Sequence, residues 1–145
     1  MSEIVSKKRK NMIEKIRQIF EKEAAAIKNI PVNENYEKAT EIIYQHVHKL
    51  QGKLITSGMG KAGEIANNIA TTFSSTGTPA VFLHPSEAQH GDLGIIQKND
   101  VMLVISNSGK TREIIELMAV SYTHLRAHET VLDLVCRLLL EKKNK

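Results

Sequence analysis

An α/β fold, a three-layer arrangement with a parallel sheet between flanking helices, is what this sequence predicts, and three observations carry it. Short apolar runs rich in β-branched residues stand at Lys53–Ser57 (KLITS), Ala80–His84 (AVFLH) and Val101–Ser106 (VMLVIS), each followed by small polar residues. Between the first two lies a helical segment, Ala62–Ser75, with Ile65, Ile69 and Phe73 spaced by four. The order strand, helix, strand, loop, strand, helix suits a parallel sheet, whose neighbours need crossovers of about a dozen residues or more. Ligands of such sheets bind beyond the carboxyl ends of the strands, so the three polar loops are expected along one edge.

Two helices precede the sheet, within residues 1–52. Ile13, Ile16, Phe20, Ala24 and Ile27, three and four apart, form an apolar stripe that Pro31 ends. Tyr36, Ala39, Ile43, Val47 and Leu50 form a second, opened by the capping residues Asn33–Asn35 and stopped near Gly52. The composition is that of one globular core: 145 residues, 41% hydrophobic, 25% charged, net charge +4. No apolar run approaches the ~20 residues of a membrane span, and Met1–Lys10 has no apolar signal-peptide core. No membrane partner is therefore expected, and the cytoplasm is the expected compartment. The lone Cys136 can close no internal disulfide, which agrees with a reducing environment. The basic run Lys7–Lys10 stands beside acidic helix residues and reads as a solvated leader, so no nucleic-acid partner is expected.

The first polar loop, SGMGKAG (Ser57–Gly63), satisfies Gly-x-Gly-x-x-Gly through Gly58, Gly60 and Gly63. A dinucleotide site also needs an acidic residue at the end of the next strand to hold a ribose hydroxyl. That strand ends in His84, and Glu87 lies beyond Pro85, which speaks against a nicotinamide cofactor. The third loop closes on Gly109, Lys110 and Thr111 like a P-loop, but Val104 stands where that pattern needs glycine. Its physical content survives: backbone N–H groups with Ser106, Asn107, Ser108 and Thr111 at a helix start suit a single phosphate. An ordinary helix cap would need only one such residue.

The middle loop, HPSEAQHGDLG, brings His84, Glu87, His90 and Asp92, four groups able to carry protons or bind metal. Neither His-Glu-x-x-His nor paired-Cys spacing is present, and a loop holding Pro85 and Gly91 fixes no ligand geometry. Proton transfer fits better, because histidine titrates near neutrality. The bland alternative is a polar loop whose histidines cap or hydrogen-bond.

SGMGKAG, STGTPAVFLHPSEAQHGDLG and VISNSGKTREI, taken in that order, resemble the successive motifs of the sugar isomerase (SIS) domain of the arabinose-5-phosphate isomerase family, which feeds Kdo synthesis for bacterial lipopolysaccharide and capsule. The likeness runs from about Ala24 to Met118. It implies a Rossmann-like, SIS-type sheet of five parallel strands, a homotetramer, and interconversion of D-ribulose 5-phosphate with D-arabinose 5-phosphate without a cofactor. By match to the family's motifs, Lys61 and Glu113 fall on catalytic positions. Gly58, Gly60, Gly77, Thr78, His84, Glu87 and His90 fall on or beside substrate-contacting ones, and His84 also matches a position that can take an inhibitory zinc. Ser106, Asn107, Ser108 and Thr111 correspond to the phosphate loop. Lys110 departs from the family, where many members have Glu.

The residues suit that chemistry. Aldose–ketose isomerisation moves a proton between adjacent carbons through an enediolate, and it needs a base, a partner for the oxyanion and a carrier of hydroxyl protons. Glu113, about half a helical turn past the phosphate loop, is expected as the base. Lys61 is expected to stabilise the oxyanion, since a cation in a first helical turn opposes the helix dipole unless an anion sits there. His90 is expected to move hydroxyl protons.

From Val120 to Lys143 the chain resembles the in-frame translation of a transposase-type sequencing adapter. The expected organisation is therefore N-terminal helices over residues 1–52, the first part of the sugar isomerase domain over 53–118, and a non-native tail over 119–145. Three of the family's five strands are then present, so the fold is expected to be incomplete and this truncated chain inactive. A noncatalytic sugar-phosphate sensor is the alternative, although such regulators carry a DNA-binding helical domain that is not apparent here.

Overall fold

The sheet is built on one fully buried strand. In a computed structural model that describes residues 2–125, with side-chain surroundings for residues 11–121, every residue of β1 (Leu54–Gly58) is buried. It lies between β2 (Ala80–Phe82) and β3 (Val101–Ile105), both parallel to it, in the order β2-β1-β3. Leu54 stands opposite both Ala80 and Val101, so the three strands start level, and Gly58 pairs with Ile105 at the other end. A strand covered on both faces loses the alternation of a half-exposed one and needs partners for any polar side chain. Thr56 donates to the Ala66 carbonyl at 2.7 Å on one face, and Ser57 donates to the Leu83 carbonyl at 2.6 Å on the other.

The Thr56 face is covered by α3 (Lys61–Ser75). The Ile65, Ile69, Phe73 stripe marks the helix, yet it is not the buried face: Gly63, Ala66 and Ala70 are buried, and Ile65 is exposed. Close approach explains the choice of small residues. A β-carbon built on Gly63 would meet the Gly58 carbonyl oxygen at 2.6 Å, so only glycine lets the helix start against the end of β1. On the opposite face Ile55, Leu83, Ala88, Ile96 and Leu117 form the core, with Val81, Leu93 and Met102 packed on it. Helices on both faces of a parallel sheet make the expected three layers.

The middle segment is more regular than a loop. It contains α4 (Pro85–Gln89) and a 3-10 turn, Asp92–Ile95. Pro85 at the first helical position has its backbone angle preset, and its missing N–H costs nothing there. The last helix, α5 (Arg112–Leu125), buries Ile114, Leu117 and Ser121. The Ser121 hydroxyl donates to the Leu117 carbonyl at 2.7 Å, and the expected tail boundary at Met118 falls inside this helix. The rest of that segment, with Cys136, lies outside the described residues, as do the side chains of Lys7–Lys10.

Ahead of the sheet, α2 (Glu34–Ile43) passes into a π-helix, Tyr44–Lys49, where one continuous helix to Leu50 was expected. Val47, within that π-helix, is buried. The helix α1 (Ser2–Lys28) belongs to a compact unit separate from the one that begins at Glu34. Within that unit Ile13, Ile16, Phe20 and Ile27 are exposed. Among the described residues no helix is long and apolar enough to cross a membrane.

Candidate functional site

At the carboxyl edge of the sheet the turn after β1 and the turn after β3 face each other across a cavity of about 250 Å³. Its polar lining is Lys61, Ser106, Asn107, Ser108 and Thr111. Met59, Ala62, Ile105 and Ile114 supply an apolar floor. The turn after β3 is held by its own hydroxyls: Ser106 Oγ accepts from the Gly109 N–H at 3.0 Å, and Ser108 Oγ accepts from the Lys110 N–H at 3.2 Å. Gly109, at φ 63°, makes that return possible. The loop is thus shaped before any ligand arrives. A second hollow, about 260 Å³ on the outer face of α3 between Ile65, Ile69 and Phe73, has no titratable group in its lining.

The remaining expected residues divide between two edges. Gly58 and Gly60 form the turn that delivers Lys61. Glu113 stands in the first turn of α5, partly buried, immediately beyond the phosphate-type loop. His84 and His90 stand at the two ends of α4, and Glu87 is exposed on it. His84 caps the helix, its Nδ1 accepting from the Ser86 N–H at 3.3 Å, and its ring stands edge-on to Phe82. Among the described residues no three His, Cys, Asp or Glu groups are placed to hold a metal ion together. Gly77 and Thr78 are not brought to this edge at all. They precede β2 at the amino edge, where Thr78 Oγ1 lies 3.3 Å from His48 Nε2.

One link was not foreseen. Glu116 accepts from Arg112 Nε at 2.6 Å and from Gln89 Nε2 at 2.5 Å, tying α4 to α5. The Arg112 hydrogen bond holds the Glu116 carboxyl below its usual range, with the Gln89 bond adding to it, and Glu116 in turn raises Arg112. The spacing of Arg112 and Glu116 is visible in the sequence; Gln89, 27 positions away, gives no such signal.

Fold and cavity together define a class of protein: a doubly covered parallel α/β domain in which a glycine turn and a hydroxyl-rich turn converge at the carboxyl edge. The chain belongs to the SIS-domain family, whose sequence profile matches residues 49–127, more than half its length. It is 53% identical over 87 residues to arabinose 5-phosphate isomerase KdsD of Francisella tularensis, covering 60% of this chain and 26% of that one. With KdsD of Yersinia pestis it shares 48% over 101 residues, 70% of this chain and 30% of that one. The chain therefore spans less than a third of these curated relatives. Among solved structures it matches a Bacteroides fragilis protein described as a phosphosugar isomerase involved in capsule formation, with 65% identity and TM-score 0.76, covering 77% of this chain and 58% of that one. It also matches an Escherichia coli CFT073 protein solved in complex with arabinose 5-phosphate, with 39% identity and TM-score 0.67, covering 78% and 59%.

Proposed function

We propose that this chain carries the phosphate-binding half of a cytoplasmic aldose–ketose isomerase that interconverts D-arabinose 5-phosphate and D-ribulose 5-phosphate for Kdo or capsule synthesis. The observation that carries the reading is the convergence of Lys61 with Ser106, Ser108 and Thr111 around one cavity. The cavity is large enough for a phosphate group. With the phosphate held there, Glu113 removes the proton from one sugar carbon and returns it to the next, and Lys61 offsets the enediolate charge. His90 moves hydroxyl protons, while His84 and Glu87 contact the sugar. The relatives named as arabinose 5-phosphate isomerases and the structure of a relative with arabinose 5-phosphate bound support this choice of substrate.

Gly77 and Thr78 then act across a subunit boundary. β1 has five residues, and about 3.3 Å per residue puts roughly 16 Å between the two edges, more than a pentose phosphate spans. The tetramer in which a second copy brings Gly77 and Thr78 to the sugar is therefore part of the proposal, as is inactivity of this chain, whose described residues supply three strands to the sheet. The test uses a chain extended to the full length of the curated relatives, in deuterated water with ribulose 5-phosphate. Isomerisation with solvent deuterium entering a sugar carbon is the expected outcome. Tight binding of the sugar phosphate with neither conversion nor exchange would replace the enzyme by a sensor.

A further inference from the structure

Glu116 joins two parts of the chain that carry different proton carriers. Its carboxylate accepts from Arg112 Nε at 2.6 Å through one oxygen and from Gln89 Nε2 at 2.5 Å through the other. Arg112 opens α5, with the cavity-lining Thr111 before it and Glu113 after it. Gln89 closes α4 and is followed directly by His90. Consecutive Cα atoms are about 3.8 Å apart, so each donor is one peptide away from a residue that handles a proton in the isomerase reading. A movement of either donor passes to that residue almost undiminished.

Both neighbours need such a hold. With five residues α4 is too short to be stable by itself, and its direction is set by what it packs on. Ala88 shares the core with Leu117 of α5, which brings the two helices together, but an apolar contact is non-directional and leaves the turn of α4 about it unspecified. Beyond His90 stands Gly91 at φ 136°, with nothing packed where its β-carbon would stand. Glu113 lies in a first helical turn, where backbone N–H groups lack partners within the helix and ends fray. The Arg112–Glu116 pair, four residues apart, spans that turn.

Exposed ion pairs contribute little to stability, and Arg112 and Gln89 are exposed. Rate is more sensitive to geometry, since a misplacement of about 1 Å can cost about 100-fold. We propose that Glu116 is a positioning residue of this site, holding His90 and Glu113 in register by gripping the residue ahead of each, a role that rests on the isomerase reading given above. Glu116 acts through these neighbours and carries no proton itself. The turn after β3 does not depend on it, because Ser106 and Ser108 hold that turn through the Gly109 and Lys110 N–H groups. Loss of the tie should therefore lower kcat and leave KM nearly unchanged.

The experiment is steady-state kinetics with ribulose 5-phosphate on a chain extended to the relatives' full length, comparing wild type, Gln89→Ala, Glu116→Ala and the double variant. Each single substitution should lower kcat by about tenfold with KM changed by less than about twofold. The double variant should be no slower than Glu116→Ala, because both substitutions remove the same bond between the helices. Glu116→Gln should recover most of the lost kcat, since its amide oxygen still serves Arg112 and its N–H can meet the Gln89 amide once that group turns over. Unchanged kcat in the single variants, or losses that multiply in the double, would overturn the proposal while leaving the isomerase reading intact. A drop in melting temperature with full kcat per folded molecule would overturn it as well, by making the tie merely structural. A wild-type extended chain that neither converts the sugar phosphate nor exchanges its carbon-bound proton would instead remove the isomerase reading, and this role with it.

Discussion

The two edges of the sheet are built from similar residues to opposite ends. At the amino edge polar groups are consumed internally. Asp100, whose side chain is fully buried, accepts from the Lys53 N–H at 2.9 Å, from Lys53 Nζ at 2.6 Å and from the Gln97 N–H at 2.7 Å. Asn99 donates to the Leu50 carbonyl, and its own carbonyl lies 3.2 Å from His46 Nδ1. At the carboxyl edge the side chains of Lys61, Asn107 and Thr111 make no hydrogen bond or ion pair to any described residue. Strand starts are thus where the domain is locked, and strand ends are where it keeps donors available. Buried polar groups that are satisfied hold a fold together; those kept accessible at a cavity can serve a ligand.

If that division is real, mutations at the two edges should fail differently. The largest effect is expected at the carboxyl edge in a chain extended to the relatives' full length, where Glu113→Gln should slow turnover by about 10²- to 10⁴-fold while sugar-phosphate binding persists. Lys61→Ala should behave comparably, and steady-state kinetics beside calorimetry checks both. Asp100→Ala should do the reverse. Breaking a buried pair leaves Lys53 and two N–H groups uncompensated, so denaturant unfolding should show a loss of about 3–5 kcal/mol, with affinity per folded molecule unchanged. Ser108→Ala is the smaller counterpart at the ligand edge, expected to weaken sugar-phosphate binding by about 1–3 kcal/mol with little change in melting temperature.

The smallest effect belongs to the tie between α4 and α5. Because the folded state lowers the Glu116 ionisation, its contribution is complete above the unfolded value, about pH 4.3, and disappears as pH falls through the lowered one. Melting of the wild type and Glu116→Gln should therefore differ slightly at neutral pH and converge in strong acid. The pair is solvent-exposed, which keeps the difference small. A difference that grew on acidification would show the tie to be something other than an ion pair.

Periodicity and glycine spacing made the fold legible, because strand and helix patterns are local. The buried face of α3 was not: Gly63, Ala66 and Ala70 are small where a stripe search looks for Ile65, Ile69 and Phe73, and only the closeness of β1 explains them. The hydroxyl-rich turn after β3 stood out by its density of polar residues, and the structure places Lys61 across a shared cavity from it. The separation of Gly77 and Thr78 from that loop was hidden, since adjacency in motif order says nothing about which end of a strand a residue occupies. The helices of the middle segment were masked by Pro85 and Gly91, which read as breakers although proline also starts helices.

The outer side of β3 has one more consequence. Among the described residues it pairs only with β1, so Val101–Ile105 offers a row of backbone donors and acceptors with no strand beside them. Its five residues, VMLVI, carry no charge and no proline to discourage docking. Such an edge is a template for intermolecular strand addition, and exposed segments of this composition drive aggregation. Whatever strand lies against β3 therefore decides whether this edge is open to strand addition between molecules.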